Sequence, residues 1–219
     1  MQRLRREMPP LTVSNISKLS TVHRRVPLDS VTVKHYDKNG ETVGESIFIG
    51  LFTSVTYSRS ITDVPYLRRK AELAMAASGF KAGTHDYKGL KHILEKYPRD
   101  ELFQLETGAL LKTGLSILRL QERQRIALYT RADSIGRYVS CLVYVPRDRY
   151  DSNLRQTMQE ILEEELKGVC SNFYTTLDDS ALARVMFIVH IESPKMLRVD
   201  AAAIEARLHF AVDEIGIKE

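Results

Sequence analysis

From about Gln124 to the C-terminus the chain repeats one rhythm twice: two strand patterns, then one helix pattern. "RIALYTRAD" (residues 125–133) and "RYVSCLVYV" (137–145) are short, rich in β-branched and aromatic residues, and separated by a turn signal around Ser134, Ile135 and Gly136. Leu154, Met158, Ile161, Leu162 and Leu166 then recur at helical spacing. Asp151 or Ser152 can cap that helix, and Gly168 can end it. "VCSNFYTTL" (169–177) and "ARVMFIVHI" (183–191) read as two more strands around Asp178, Asp179 and Ser180. Pro194 breaks the pattern, and Asp200 caps a last helix with Ile204, Leu208, Ala211, Val212 and Ile215 inward.

The expected order is ββαββα. Without its first strand it is βαββα, most of a ferredoxin-like split βαβ. One more strand would complete that sheet. Either the leading strand fills the slot, or a strand from outside this stretch does.

The first half has a different grammar. "VTVKHYD" (31–37) alternates, and "DKNGE" (37–41) carries Asn39-Gly40, a pair that tolerates the positive φ of a tight hairpin. "TVGESIFIGLFTS" (42–54) is the return strand. Ile47, Ile49 and Leu51 lie on one face and Phe48 and Phe52 on the other, so a sheet covered on both sides is expected. Helices follow. Pro65 suits a first turn, and Tyr66, Leu67, Lys70, Ala71, Ala74 and Met75 trace helical spacing up to Gly79. His85 and Asp86 precede a second helix with Leu90, Ile93 and Leu94 on one side, stopped by Pro98. A third runs from Thr107 to Gln121 through Leu110, Leu111, Leu115, Leu118 and Leu120, despite Gly108 and Gly114. The reading is therefore α+β in two modules: strands then helices over 31–123, ending in a helical connector, and a ferredoxin-like module over 124–219. Residues 1–30 lack sustained periodicity and read as a linker or as the edge of an upstream unit, with the Ser/Thr/Asn-rich stretch after Pro9-Pro10 as linker or as an extended strand from elsewhere.

Composition narrows the function classes. The 219 residues carry 32 Lys and Arg against 28 Asp and Glu, so no whole-protein field for a polyanion is implied. The basic bias sits early, at Arg3, Arg5, Arg6, Lys18, Arg24 and Arg25, as a nucleic-acid arm or a basic linker would have it. Cys141 and Cys170 stand apart, without a CxxC pair or zinc spacing, and two free thiols suit a reducing cytoplasm. No apolar run reaches membrane-spanning length, so no membrane partner is expected.

Reaction chemistry has few candidates. The chain has no GxGxxG, no GxxxxGK[ST], no GxSxG and no HExxH. His23, His35, His85, His92, His190 and His209 form no metal pair; His85 and His92 can share a face only if His85 joins the helix. Glu163, Glu164 and Glu165 fan around their helix and read as a solvated face. Cys141 alternates with Val139, Val143 and Val145, which makes it a small buried hydrophobe.

The residues that invite a role are Arg147, Asp148 and Arg149, set after Pro146 where a strand hands over to a helix. The aspartate can accept backbone N–H groups and brace the turn, while the arginines can fork onto carboxylates of a neighbouring element. Two readings stay open: a charged turn tied locally, or a docking contact with another domain or subunit. An RNA-binding alternative is weighed against these. "GRYVSCLVY" (136–144) has the outline of an RNA-recognition strand, with Tyr138 and Tyr144 on one face, but Leu142 between them fits packing as well as base stacking.

Longer runs carry a resemblance. "FIGLFTS" (48–54), "VPYLRRK" (64–70), "ILEKYPRDELFQ" (93–104) and "GRYVSCLVYVPRDRY" (136–150) together resemble the N-terminal region of the large bacterial NAD-specific glutamate dehydrogenases, over about residues 31–182. The resemblance implies a segment of a much longer enzyme that oxidatively deaminates glutamate to 2-oxoglutarate with NAD. The segment itself would hold no cofactor. Its second half would be an ACT-like module and its first a PAS-type module with a helical linker. Its partners would be the catalytic domain and sister subunits, with a small-molecule effector or stand-alone amino-acid sensing as further options. Many amino-acid-sensing ACT modules place a glycine in the loop after the first strand; residues 146–151 contain none.

Overall fold

The computed structural model describes residues 9–22, 27–133, 136–191 and 199–216. The chain divides into two compact units between Leu115 and Ser116, a point inside one helix. The expected turn at Ser134 and Ile135, His23, Pro194, the Ile215 side chain and five of the six early basic residues lie outside the described residues.

In the first unit, β1 (Leu11–Leu19), β2 (Pro27–Tyr36) and β3 (Thr42–Gly50) form an antiparallel sheet in that order. The β2–β3 hairpin turns where expected. Gly40 takes φ +81°, and the Asp37 carboxylate accepts the backbone N–H groups of Asn39 and Glu41, each at 2.9 Å. Of the readings open for residues 11–19, the extended strand is the one that forms, and it lies in this same sheet, pairing with β2 from Leu11 opposite Val33 to Leu19 opposite Pro27. The register is held by polar contacts that no hydrophobic period reports: Asn15 donates to Asp29, and the other Asp29 oxygen accepts the Phe52 N–H. Contrary to expectation, the sheet is not covered on both sides at β3. Ile47, Phe48 and Ile49, which alternate between the two faces of β3, are 51%, 63% and 59% exposed, and among the described residues β3 is the edge strand beside β2.

Short helix α1 (Ser54–Ser58) and a 3-10 turn (Ile61–Asp63) follow. Helix α2 (Pro65–Ala77) has Pro65 in its first turn and gives way at Gly79, φ +71°. Helix α3 (His85–Lys96) starts at His85, one turn earlier than its apolar pattern, because the Thr84 hydroxyl caps the Tyr87 N–H. His85 and His92 thus share the helix, both exposed. Pro98 stops α3 and opens a helix absent from the sequence reading, α4 (Arg99–Gln104). Phe103 of α4 stacks on Phe52 with centroids 4.4 Å apart and lies parallel to Tyr66 at 6.1 Å. Helix α5 (Thr107–Arg123) buries Leu110 and sets Gly114 against Leu90, where an added Cβ would come within 2.9 Å of a Leu90 methyl. Gly114 therefore marks a close helix contact and Gly108 does not, with nothing within 4 Å of its Cβ position.

The second unit contains β4 (Ala127–Ala132), β5 (Tyr138–Pro146), a 3-10 turn (Arg147–Arg149), α6 (Ser152–Leu166), β6 (Gly168–Thr176), β7 (Leu182–Ile191) and α7 (Ala201–Gly216), in that order. All strand pairs are antiparallel, and the sheet order is β4-β5-β7-β6. In this sheet β5, β7 and β6 make the split βαβ, and β4 occupies the slot left beside β5. The leading strand fills the vacancy. One face carries Val139, Cys141, Val143 and Val145, with Val185, Phe187 and Val189 from β7; Leu154, Met158 and Leu162 of α6 and Ile204 and Leu208 of α7 pack on them. The helix C-terminus is made differently from the expectation. Lys167 takes the left-handed conformation at φ +50°, and Gly168 opens β6 instead, where a Cβ would collide with the His190 carbonyl oxygen.

Candidate functional site

Strand β5 ends at Pro146 because its ring supplies no N–H for the ladder. The next three residues make a single 3-10 turn, and Asp151 starts α6 by accepting the Leu154 N–H at 2.7 Å. Arg147 is held at both ends. Its backbone N–H donates to the Ala181 carbonyl at 2.9 Å, and its guanidinium donates to the Asp178 carbonyl, so it clasps the β6–β7 turn. Arg149 reaches α7 and pairs with Asp213 at 3.2 Å, both side chains largely exposed. Tyr150 closes the junction with a 2.8 Å hydroxyl bond to Thr175.

These contacts revise the chemistry expected of the turn. Asp148 accepts no hydrogen bond among the described residues and points its charge into solvent; the bracing role expected of it belongs to Asp151 and Arg147. Arg147 engages carbonyl oxygen rather than carboxylate, and only Arg149 meets an acid.

The other ionisable groups are structural partners. Asp133 is buried and receives Arg137 in a two-point contact, Nε at 2.7 Å and Nη2 at 3.0 Å, which raises the Arg137 pKa. Glu164 and Glu165, expected on a solvated face, clamp Arg207 of α7 to α6, while Glu163 accepts the Cys170 N–H. The Cys170 thiol is pushed up by burial and then by Glu163, the opposite of an activated nucleophile. Cys141 lies in the core. Among the described residues no group of three His, Cys, Asp or Glu side chains could hold a metal ion, and no helix is long and apolar enough to cross a membrane.

The second face of the sheet answers the RNA alternative. Tyr138, Leu142 and Tyr144 are all buried. The Tyr144 ring meets Tyr129 edge-on, with centroids 6.0 Å apart, and burial pushes its hydroxyl pKa up to about 12. Tyr129 in turn donates to Ser116 of α5 at 2.9 Å. Base stacking requires exposed rings on that strand, and these two are inside.

A four-stranded antiparallel sheet of this order, with two helices on one face, defines an ACT-type domain when set beside the family match. Residues 127–214 match the ACT2 domain of glutamate dehydrogenase, and residues 64–123 match its helical motif 1. Both matches are to parts of the large NAD-specific glutamate dehydrogenases, and the chain is similar to a segment of those proteins. It is 41% identical over 187 residues to the NAD-specific glutamate dehydrogenase of Halomonas elongata, covering 85% of this chain and 12% of that protein. The Pseudomonas aeruginosa enzyme is 38% identical over 200 residues, covering 91% and 12%, and the Mycobacterium tuberculosis enzyme 31% over 176 residues, covering 80% and 10%. The chain thus spans about an eighth or less of the length of the curated relatives it matches.

Proposed function

We propose that this chain is a non-catalytic assembly and regulatory segment of an NAD-dependent glutamate dehydrogenase. The whole enzyme oxidatively deaminates L-glutamate to 2-oxoglutarate in the cytoplasm, and its NAD is held outside this segment. The observation that carries the reading is the correspondence of residues 64–123 and 127–214 to a helical motif and an ACT2 domain of such enzymes. The functional boundary then lies near residue 124, with a PAS-type-like strand-and-helix module running from β1 to residue 123 and the ACT-type module over 124–219.

The segment works by packing on the catalytic domain and on sister subunits. Arg147, Asp148 and Arg149 form part of that surface: Asp148 is unsatisfied and exposed, and the flanking arginines fix its position. The test has two arms. The purified 219-residue chain shows no NAD-dependent glutamate oxidation; measurable turnover in a clean preparation defeats the proposal. In the full-length enzyme, combined Arg147→Glu and Arg149→Glu substitution weakens assembly on a sizing column. Unaltered assembly and activity leave only the local brace.

A further inference from the structure

A cavity of about 470 Å³ lies in the first unit between α2, α3 and the 3-10 turn at Ile61–Asp63. That volume is in the range of small-molecule sites, which are typically about 300–1,000 Å³. Its inner wall is apolar: Ile61 and Leu94 are buried there, with Met75 and Phe80 beside them. Its rim is charged. Arg68, Glu72 and Lys91 line the opening, and all three are exposed.

The rim charges are not equivalent. Glu95 also lines the cavity, but its carboxylate is already engaged by the Ile61 N–H at 3.1 Å, the Ser60 hydroxyl at 3.0 Å and the Arg99 guanidinium at 3.2 Å. Arg68 and Glu72 form no ion pair among the described residues; the Arg68 guanidinium donates instead to the Thr62 carbonyl at 3.3 Å, and Glu72 is left as a single carboxylate at the rim. Lys91 stands on the facing helix without an ion pair or a hydrogen bond from its side chain among the described residues. With Glu95 offset by Arg99, the mouth carries two cations, Arg68 and Lys91, against the one carboxylate of Glu72, an excess of one positive charge above an apolar wall.

We propose that this cavity binds a small amphipathic anion, a carboxylate carrying an apolar body, with the carboxylate on Lys91 and the body along Ile61 and Leu94. An ammonium head on the same body meets like charge, and a neutral head forgoes the ion pair. The site is separate from the docking turn, and it does not depend on the role proposed for the segment.

The experiment is calorimetric titration of the 219-residue chain with octanoate, octylammonium and 1-octanol. Octanoate is expected to bind saturably at one site, at least tenfold tighter than the other two. Lys91→Glu lowers octanoate affinity at least tenfold and raises that of octylammonium. Ala71→Trp, which fills the cavity from α2, removes octanoate binding. No saturable binding, equal binding of all three probes, or an octanoate affinity untouched by Lys91→Glu overturns the proposal. Should Ala71→Trp fail to fold, the probe series and Lys91→Glu, a surface position with no packing to lose, decide the outcome. The titration is blind to glutamate oxidation, so it succeeds or fails apart from the assembly reading.

Discussion

Lys70 Nζ donates a 2.7 Å hydrogen bond to the carbonyl of Leu102, joining the middle of α2 to the end of α4. It also donates to Phe103 at 3.1 Å and Leu105 at 2.7 Å, and it lies 4.7 Å from the centre of the Tyr66 ring. The last carbonyls of any helix lack internal partners, and α4 has only six residues to hold itself together. Replacing Lys70 with Met would leave those three acceptors without their donor. The expected loss is roughly 2–4 kcal/mol, read from the urea midpoint of the purified chain.

Burial lowers the Lys70 pKa from the ordinary 10.5 to about 8, against a smaller opposing pull from Glu106. Below about 8 both folded and unfolded chains hold the proton, and the full cost of burying the charge is present. Between about 8 and 10.5 the folded chain releases its proton first, so that cost fades and stability rises with pH. The difference in unfolding free energy between wild type and Lys70→Met should therefore grow between pH 8 and pH 10. A flat difference across that window would show that the ammonium is not desolvated.

Two glycines in the chain should respond in opposite directions to alanine. Gly168 admits no Cβ beside the His190 carbonyl, and Gly168→Ala is expected to cost about 2–3 kcal/mol. Gly108 sits exposed in α5 with open space around its Cβ position, and Gly108→Ala should gain about 0.5–1 kcal/mol from helix propensity alone. Thermal unfolding of both variants gives the comparison; equal shifts would contradict it.

Cys170 should be a slow thiol. Burial and Glu163 raise its pKa, and its sulfur lies 3.3 Å from the Asn172 carbonyl. At pH 7.5 iodoacetamide is expected to label the native chain more slowly than a free cysteine peptide, and to label both cysteines readily in urea. Native labelling faster than the peptide would mean an activated thiolate.

Regular elements were legible in the sequence wherever burial and period coincide. The apolar face of α6, the inward valines around Cys141 and the Asp200 cap of α7 all fall where their spacing puts them. What escaped was set by contacts between distant residues. Strand β1 has Ser, Thr or Asn at four of its nine positions and is recognised as a strand only through its ladder with β2 and the Asn15–Asp29 bond. Helix α4 is too short to show a period and is completed by Lys70, about 30 residues earlier in the chain. The turn at Arg147 was visible as charge and proline, but its partners at Asp178, Ala181 and Asp213 are supplied by elements with no sequence link to it. The cavity wall draws on three separate elements and left no motif.

The place of β4 has a consequence for how this domain could be rewired. The strand that comes first in this unit sits where the last strand of the split motif would sit, so the same sheet position is reached from the other end of the thread. The ACT-type unit is in effect a natural circular permutant, and moving residues 127–132 behind α7 on a suitable linker should rebuild the same four-stranded sheet while freeing its leading end from α5.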